Sequence, residues 1–287
     1  MSAVHTRFLV AEAVRTGSAV LAFNVITLEH AEGVVDGLER AGVPGLLQVS
    51  ENAVRYHADR MGPLLAACRE VAAAAAVPVG IHLDHLRDEA LVRAGVAAAA
   101  GLGVTSVMVD ASELDDAANV ATTAALARVA HGTGLWVEAE LGAIGGKGGA
   151  HTPGVRTDPD EARAFVAATG VDGLAVAVGS AHAMTSATAR LDLGLVGRLT
   201  AAVPVPLVLH GSSGVPAATL RAAVAAGIRK VNVGTALNVA LTAQVRTALG
   251  GDGALTDPRA YLARGREAVA EVVAATARAV LPDACAA

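Results

Sequence analysis

Short apolar runs, many of them β-branched, alternate along this chain with longer stretches rich in alanine and leucine. Apolar runs of four to eight residues are typical of buried strands, whereas longer alanine-rich stretches favour helices. The predicted strands are 19–25, 45–49, 77–84, 104–109, 135–140, 173–178, 205–210 and 229–233. The predicted helices that follow them are 28–42, 60–76, 87–101, 114–131, 159–169, 192–202, 216–226 and 235–249. A last helix, 258–281, follows an Asp-Pro pair that is typical of a helix start.

Polar or charged residues stand at or just after the carboxyl end of every predicted strand. In a (β/α)8 barrel these ends meet on one rim, where active sites are built. An open dinucleotide-binding sheet would instead need G-x-G-x-x-G after its first strand, and the sequence lacks it. The pattern predicts an α/β fold, a single (β/α)8 TIM barrel with an extra C-terminal helix, as one domain over 1–287. The polar positions are Asn24, Gln48, Ser50, Asp84, His85, Asp110, Glu138, Glu140, His182, His210 and Asn232.

Composition and charge narrow the class of protein. Hydrophobic residues make up 53% of the chain but aromatic residues only 2%, which suits parallel strands covered by alanine-rich helices. The net charge of −5 without a basic block argues against a nucleic-acid or membrane partner. Cys68 and Cys285 lie far apart without a C-x-x-C pair, which fits a reducing cytoplasm. Charges within residues 1–16 and prolines within 199–220 argue against a signal peptide and a membrane helix.

Three histidines, His85, His182 and His210, stand at three different strand ends. A single histidine near a strand end is more often structural than a ligand, and four other histidines of the chain are interpreted in that way. Three imidazoles with one open coordination position are a common arrangement for a catalytic zinc that binds a substrate oxygen. The sequence therefore predicts a divalent metal on these side chains, zinc first, although imidazole ligands serve several metals.

Three glycine-rich segments add candidate chemistry. Residues 210–214 and 232–235 follow the seventh and eighth predicted strands, where barrels commonly bind phosphate through backbone N–H groups. The alternative is that these glycines only make strand-to-helix turns. Residues 141–149 follow the fifth predicted strand and are predicted to form a lid that excludes water, with an ordinary solvated loop as the alternative.

Six motifs together resemble the class II (metal-dependent) fructose-bisphosphate and tagatose-bisphosphate aldolase family, over most of residues 22–262. The resemblance implies a lyase of carbohydrate metabolism that makes or breaks a C–C bond between a dihydroxyacetone-phosphate-like donor and an aldehyde. It implies a phosphorylated sugar or ketose substrate and a homodimer or larger homo-oligomer. Its cofactor would be zinc or another divalent metal, and a monovalent cation is expected as an additional cofactor. The motifs are HLDH (82–85), VMVD (107–110), VEAELG (137–142), GSAH (179–182), LHGSSG (209–214) and KVNVGT (230–235).

The resemblance also implies roles for matching residues. Asp84 would be the acid/base at the hydroxyl on the aldehyde half of the substrate. Asp110 and Glu140 would orient ligands or hold the metal in an alternative position, and Glu140 is also a candidate for catalysis. Asn232 would border the reacting carbons. The family resemblance implies that the donor's phosphate contacts are Gly211, Ser212, Ser213, Asn232, Gly234 and Thr235. The remaining predicted substrate contacts, from the ends of the first two strands, are Asn24 and Ser50.

Two positions depart from the family pattern. Ala183 follows the sixth-loop histidine where the family has glycine, and its methyl group is expected to crowd a phosphate contact. Lys147 stands where the family lid carries the acid that removes the donor proton. His151 lies a few residues further on, and an imidazole of pKa about 6.5 is a competent base at neutral pH. We predict His151 as that base; the alternative is an exposed loop histidine, with the fifth-strand glutamates as the next candidates.

Two other classes of function stay open at this point. Three histidines and an aspartate on the same rim could activate water, as in a metal-dependent hydrolase or isomerase. A sugar-phosphate-binding barrel could keep the pocket and lose turnover together with the acidic lid residue. Proton exchange at the donor C–H separates these classes, because an aldolase catalyses it without an acceptor.

Overall fold

The computed structural model describes residues 4–141, 156–180, 188–251 and 253–282. Its strands all run parallel and close into one barrel in chain order, with the first strand paired to both the second and the eighth. The predicted TIM barrel is confirmed. The strands are β1 (Val20–Asn24), β2 (Gly45–Ser50), β3 (Val79–Leu86), β4 (Ser106–Val109), β5 (Trp136–Glu140), β6 (Gly173–Ala175), β7 (Leu207–Leu209) and β8 (Ile228–Val233).

Helices follow the strands and surround the barrel, and the predicted C-terminal helix is present. A 3-10 turn, Ser212–Gly214, follows β7. The helices of the described residues are α1 (Thr6–Thr16), α2 (Leu28–Ala41), α3 (Glu51–Tyr56), α4 (Met61–Ala74), α5 (Glu89–Leu102), α6 (Asp116–His131), α7 (Pro159–Thr169), α8 (Leu193–Ala202), α9 (Ala217–Ala226), α10 (Thr235–Gly251) and α11 (Pro258–Val280). None of these helices is long and apolar enough to cross a membrane.

Aspartate side chains begin many of the helices. Each accepts a hydrogen bond from a backbone N–H of the first turn, which would otherwise lack a partner inside the helix. Prolines stand at the start of α7 and α11, where no intrahelical donor is lost. Four of these caps end the strand-to-helix loops after β3, β4, β5 and β6 at a defined residue, and so help to position the rim. The capping residues are Asp88, Asp115, Asp158, Asp192 and Asp257.

Helix α1 was not predicted, and it covers the amino-terminal end of the barrel. Val4 N donates to Val79 O at the start of β3. Leu9, Val10 and Ala13 pack into a cluster inside the barrel, so their i, i+1 and i+4 spacing forms one buried stripe. The larger core lies outside the barrel, between strands and helices. With one end covered, the opposite, carboxyl-terminal rim is left for a site.

Candidate active site

A cavity of about 690 Å³ opens at the carboxyl ends of the strands. The described residues that were predicted for the site line it, except His210 and Glu138, which are fully buried. His151 and His182 lie outside the described residues, as do residues 142–149 of the predicted lid. The lining includes Asn24, Ser50, Asp84, His85, Asp110, Glu140, Gly211, Ser212, Ser213, Asn232, Gly234 and Thr235.

His85 stands near the end of β3 in a left-handed backbone conformation, with φ of 47°. Its Nδ1 lies 2.8 Å from Oδ2 of Asp110, and Asp110 Oδ1 accepts from the Ser112 hydroxyl at 2.6 Å. Burial lowers the pKa of His85, but the carboxylates of Asp84 and Asp110 outweigh it and raise that pKa to about 9. Burial likewise raises the pKa of Asp110, but the bonds from His85 and Ser112 hold it well below its usual value.

His210 is fully buried next to His85. Its Nε2 lies 2.9 Å from Glu138 Oε1, and its Nδ1 lies 2.8 Å from His85 Nε2. An ionised carboxylate only accepts, so Asp110 and Glu138 favour a proton on the outer nitrogen of each ring. At 2.8 Å the two inner nitrogens share one proton as a hydrogen bond. Release of that proton leaves both inner nitrogens with lone pairs that a bound cation can use.

Carboxylates lie close to these two rings. Ligand atoms of Asp84, His85 and His210 lie within 4.8 Å of one another, and so do those of His85, Asp110 and Glu140. The residues therefore fit a divalent metal with nitrogen and oxygen ligands. The two groups share His85, and the second contains Asp110 and Glu140, the acids for which an alternative metal position was predicted.

Asp84 is buried at the floor of the cavity, next to Asn232. The Asn232 amide nitrogen lies 3.2 Å from Asp84 Oδ1. Burial raises the pKa of Asp84 above its usual value, while the neighbouring His85 and Lys230 lower it. A carboxyl group held in this way, at the surface of a cavity, is suited to exchange a proton with a bound substrate.

The two glycine-rich turns meet on one side of the cavity. Gly211 has φ of 67°, a conformation that is strained for any residue with a side chain. The Ser212 hydroxyl donates to Asn232 O, and the Ser213 hydroxyl oxygen accepts from Ala236 N. These bonds tie the turn after β7 to the start of α10 at Thr235. A helix amino terminus and backbone N–H groups together favour an anion here.

Asn24 and Ser50 line the cavity beside β1 and β2. Asn24 Oδ1 accepts from the Gln48 amide at 2.8 Å. The Ser50 hydroxyl oxygen accepts from Ala53 N and so caps α3, while it still borders the cavity. Both residues are therefore placed where the sequence predicted substrate contacts.

The sequence analysis missed three residues that support this site. Ser112 holds Asp110. Glu51 is buried and accepts from the backbone N–H groups of Arg87 and Asp88, just after His85. Lys230 is buried inside the barrel with Nζ 2.8 Å from Glu138 Oε2. The sequence did carry a signal for Lys230, because residues 230 and 232 are two positions apart on one strand and therefore lie on the same face.

Comparisons with known proteins agree with this geometry. Residues 4–281 match the family described as fructose-bisphosphate aldolase class-II. The YdjI aldolase from Escherichia coli K12 is similar at 30% identity, with a TM-score of 0.83 over 98% of this chain and 97% of that one. A fructose-bisphosphate aldolase from Campylobacter jejuni shares the fold at 20% identity, with a TM-score of 0.83 over 97% and 95%. The chain therefore belongs to the class II fructose-bisphosphate aldolase family and is a lyase of the metal-dependent aldolase class.

Proposed function

We propose that this aldolase uses zinc and reversibly joins a dihydroxyacetone-phosphate-like donor to an aldehyde. The observation that carries the proposal is the convergence of His85 Nε2 and His210 Nδ1 beside a cavity that the two glycine-rich turns also line. A metal-binding pair of imidazoles and an anion-binding turn are what a phosphorylated ketone needs at its two ends. The substrate class follows as a phosphorylated sugar or ketose of carbohydrate metabolism.

His85 and His210 would hold the metal, with His182 from the sixth loop as the proposed third imidazole. Asp110 and Glu140, which share His85 with the first group, offer the alternative position. When bound, a divalent cation supplies positive charge next to the donor's carbonyl oxygen, which makes the neighbouring C–H more acidic.

The donor's phosphate would bind the backbone of the two turns. Gly211, Ser213 and Gly234 border the cavity with little or no side-chain bulk, so their N–H groups can approach an anion closely. The amide of Asn232 lies between these turns and Asp84. This position is where the reacting carbons of a donor held at both ends would lie.

Asp84 would move the proton on the aldehyde half of the substrate. During cleavage its carboxylate takes the hydroxyl proton as the C–C bond breaks, and the hydroxyl oxygen becomes the aldehyde oxygen. During synthesis the carboxyl group returns that proton to the same oxygen. The burial that raises the pKa of Asp84 favours both steps, because it brings the proton affinities of carboxyl and substrate closer together.

The experiment combines metal analysis with proton exchange at the donor. The purified protein should contain about one zinc per chain, and in deuterated water it should exchange a donor C–H proton of dihydroxyacetone phosphate without any acceptor. A screen of aldehydes then identifies the acceptor. Metal and donor binding without exchange would instead select a binding barrel, and hydrolysis or isomerisation without exchange would select the other class of enzyme. Light scattering on the same sample tests the proposed homodimer or larger homo-oligomer.

A further inference from the structure

Lys230 is a fully buried lysine on β8, two residues before Asn232 and on the same inward face. Within the described part of the chain, its Nζ lies 2.7 Å from Asn232 Oδ1 and 2.8 Å from Glu138 Oε2. At longer range it faces Gln48 Oε1 at 3.4 Å and His82 Nε2 at 3.5 Å. The oxygen atoms turned toward this ammonium group, on Asn232, Glu138 and Gln48, are all hydrogen-bond acceptors. A buried ammonium group requires such partners.

Glu138 is the counterion of this lysine and is also fully buried. Its Oε2 lies close to Nζ without the alignment of a hydrogen bond, so charge carries this contact. Its Oε1 faces His210 Nε2. Lys230 thus neutralises the carboxylate that orients a proposed metal ligand.

An ammonium group only donates, so it decides which end of a neighbouring amide faces it. Asn232 turns Oδ1 to Lys230, and its NH2 group therefore faces Asp84 at the cavity floor. Gln48 turns Oε1 to Lys230 and donates through Nε2 to Asn24 Oδ1 at 2.8 Å. Because the Asn24 oxygen accepts this hydrogen bond from Gln48, the NH2 group is the end of the Asn24 amide that is available to the cavity.

If the Asn232 side-chain amide were flipped, exchanging its oxygen and its NH2 group, it would gain one favourable contact and two unfavourable ones. Its oxygen could accept from His210, whose Nε2 is 3.1 Å from the amide nitrogen. However, the NH2 group would then face the Lys230 ammonium, and the oxygen would face the Asp84 carboxylate. Contacts with charged groups are roughly twice as strong as neutral ones. The observed direction is therefore the favoured one as long as Lys230 is charged.

We infer that Lys230 is a positioning residue that turns the NH2 groups of Asn232 and Asn24 toward the cavity. The site then offers donors to the carbonyl and hydroxyl oxygens of a ketose substrate. The choice of ligand rests on the proposed function, whereas the direction of the amides does not. Lys230 itself does not line the cavity, so its effect on a ligand is indirect.

Replacing Lys230 together with its counterion Glu138 separates the effect of Lys230 on the amides from its role in balancing the charge of Glu138. Lys230→Met alone leaves Glu138 buried without its counterion and is expected to lose bound metal. The double variant Lys230→Met/Glu138→Gln removes both charges and is expected to fold. Glu138→Gln alone keeps the ammonium group and is the control for any change in zinc or ligand affinity that comes from His210. Calorimetry then compares two probes on the zinc-loaded parent and double variant: inorganic phosphate, which needs only the turns, and dihydroxyacetone phosphate, which also needs the amides.

We expect the double variant to bind phosphate as the parent does and dihydroxyacetone phosphate about tenfold or more weakly, the loss typical of one good hydrogen bond. Unchanged affinity for both probes overturns the inference. So does an equal loss of both, because that indicates general damage to the site. If the parent binds dihydroxyacetone phosphate no better than phosphate, the proposed donor is wrong, and the amide direction is decided separately.

Neutron diffraction from deuterated crystals of the parent protein determines the direction of the amides independently of ligand binding. It needs no variant and no substrate, so it also covers a double variant that fails to fold. We expect three deuterons on Lys230 Nζ and the Asn232 amide deuterons directed at Asp84. Deuterons of Asn232 directed at Lys230, or an uncharged amine at that position, would overturn the inference.

Discussion

The imidazole of His85 donates through Nδ1 to the carboxylate of Asp110, with 2.8 Å between nitrogen and Oδ2. This bond holds the ring so that its other nitrogen, Nε2, faces His210. A carboxylate in this position fixes the tautomer and increases the basicity of a metal-binding histidine. The same carboxylate is itself held by Ser112. A chain of three side chains, which begins on the loop after β4, therefore orients the proposed metal ligand His85.

Replacing Asp110 with alanine should weaken metal binding by about 10- to 100-fold, as losses of such supporting groups usually do. His85 would lose the partner that fixes its ring and tautomer. Competition with a chelator measures the zinc dissociation constant. The matched control is Glu113→Gln, a nearby exposed carboxylate that pairs with Arg87. Equal zinc affinity in the Asp110→Ala variant and the control would show that Asp110 does not support the site.

Alanine in place of His85, His182 or His210 should abolish both bound metal and activity, because two imidazoles rarely retain a catalytic zinc. Metal content by mass spectrometry and cleavage rate are measured for each variant. Circular dichroism confirms that each variant is folded. Near-normal metal in two of the three variants would contradict the proposed ligand set.

The Asp84→Ala variant should behave differently from the histidine variants. The three proposed imidazole ligands, His85, His182 and His210, all remain, so zinc is expected to stay bound. Cleavage should slow by roughly 100-fold or more, the usual effect of removing a general acid or base. The experiment measures the cleavage rate and the zinc content of the variant and compares turnover per bound zinc with that of the parent. Turnover equal to that of the parent would mean that Asp84 has only a structural role.

The barrel was predictable because alternating strands and helices leave few topologies, and strand ends in a barrel converge on one rim. The exact limits of the strands could not be predicted from the sequence. The predicted strand 205–210 pairs only over Leu207–Leu209, and β3 continues past its predicted end to Leu86. Pairing with neighbouring strands sets these limits, and pairing is invisible in a single sequence. Helix α1 was missed although its buried stripe of Leu9, Val10 and Ala13 is visible in the sequence.

The rim residues were predicted better than the residues beneath them. His85, Asp84 and Asp110 were found because they end strands, and the structure brings them together. Lys230 was passed over because lysine is rarely fully buried without a partner. Its partner Glu138 lies 92 positions away in sequence, on β5, and the strand alternation that turns both inward does not reveal their pairing.

Glu51 should make the protein's stability depend on pH in the acid range. Burial raises its pKa, but hydrogen bonds from Asp88 N, Arg87 N and Arg55 outweigh burial and hold it below its usual 4.5. A carboxyl group with a lowered pKa in the folded state stabilises the fold above the unfolded-state value, and this contribution is lost as pH falls through the folded-state value.

The Glu51→Gln variant tests this dependence. It should be less stable than the parent at pH 7, by about 1 kcal/mol or more, because charge-assisted hydrogen bonds are weakened. The difference should shrink as pH falls below about 4.5. Urea unfolding at several pH values measures it, with Glu113→Gln as the exposed control. A difference that is constant over this range would rule out the proposed linkage.

The last prediction concerns the base that removes the donor proton, because Lys147 stands where the family lid carries an acid. His151 is the nearby side chain with a suitable pKa, and the glycines around residues 145–149 would allow a loop to bring it to a bound ketone. We expect His151→Ala to slow donor hydrogen exchange in deuterated water by roughly 100-fold, with Lys147→Ala as a control that exchanges at the parent rate. Zinc content and phosphate affinity should stay unchanged in both variants.

Exchange at the parent rate in His151→Ala would move the role to Glu138 or Glu140. Glu140 is then tested first, because it lines the cavity, whereas Glu138 is fully buried against Lys230 and His210.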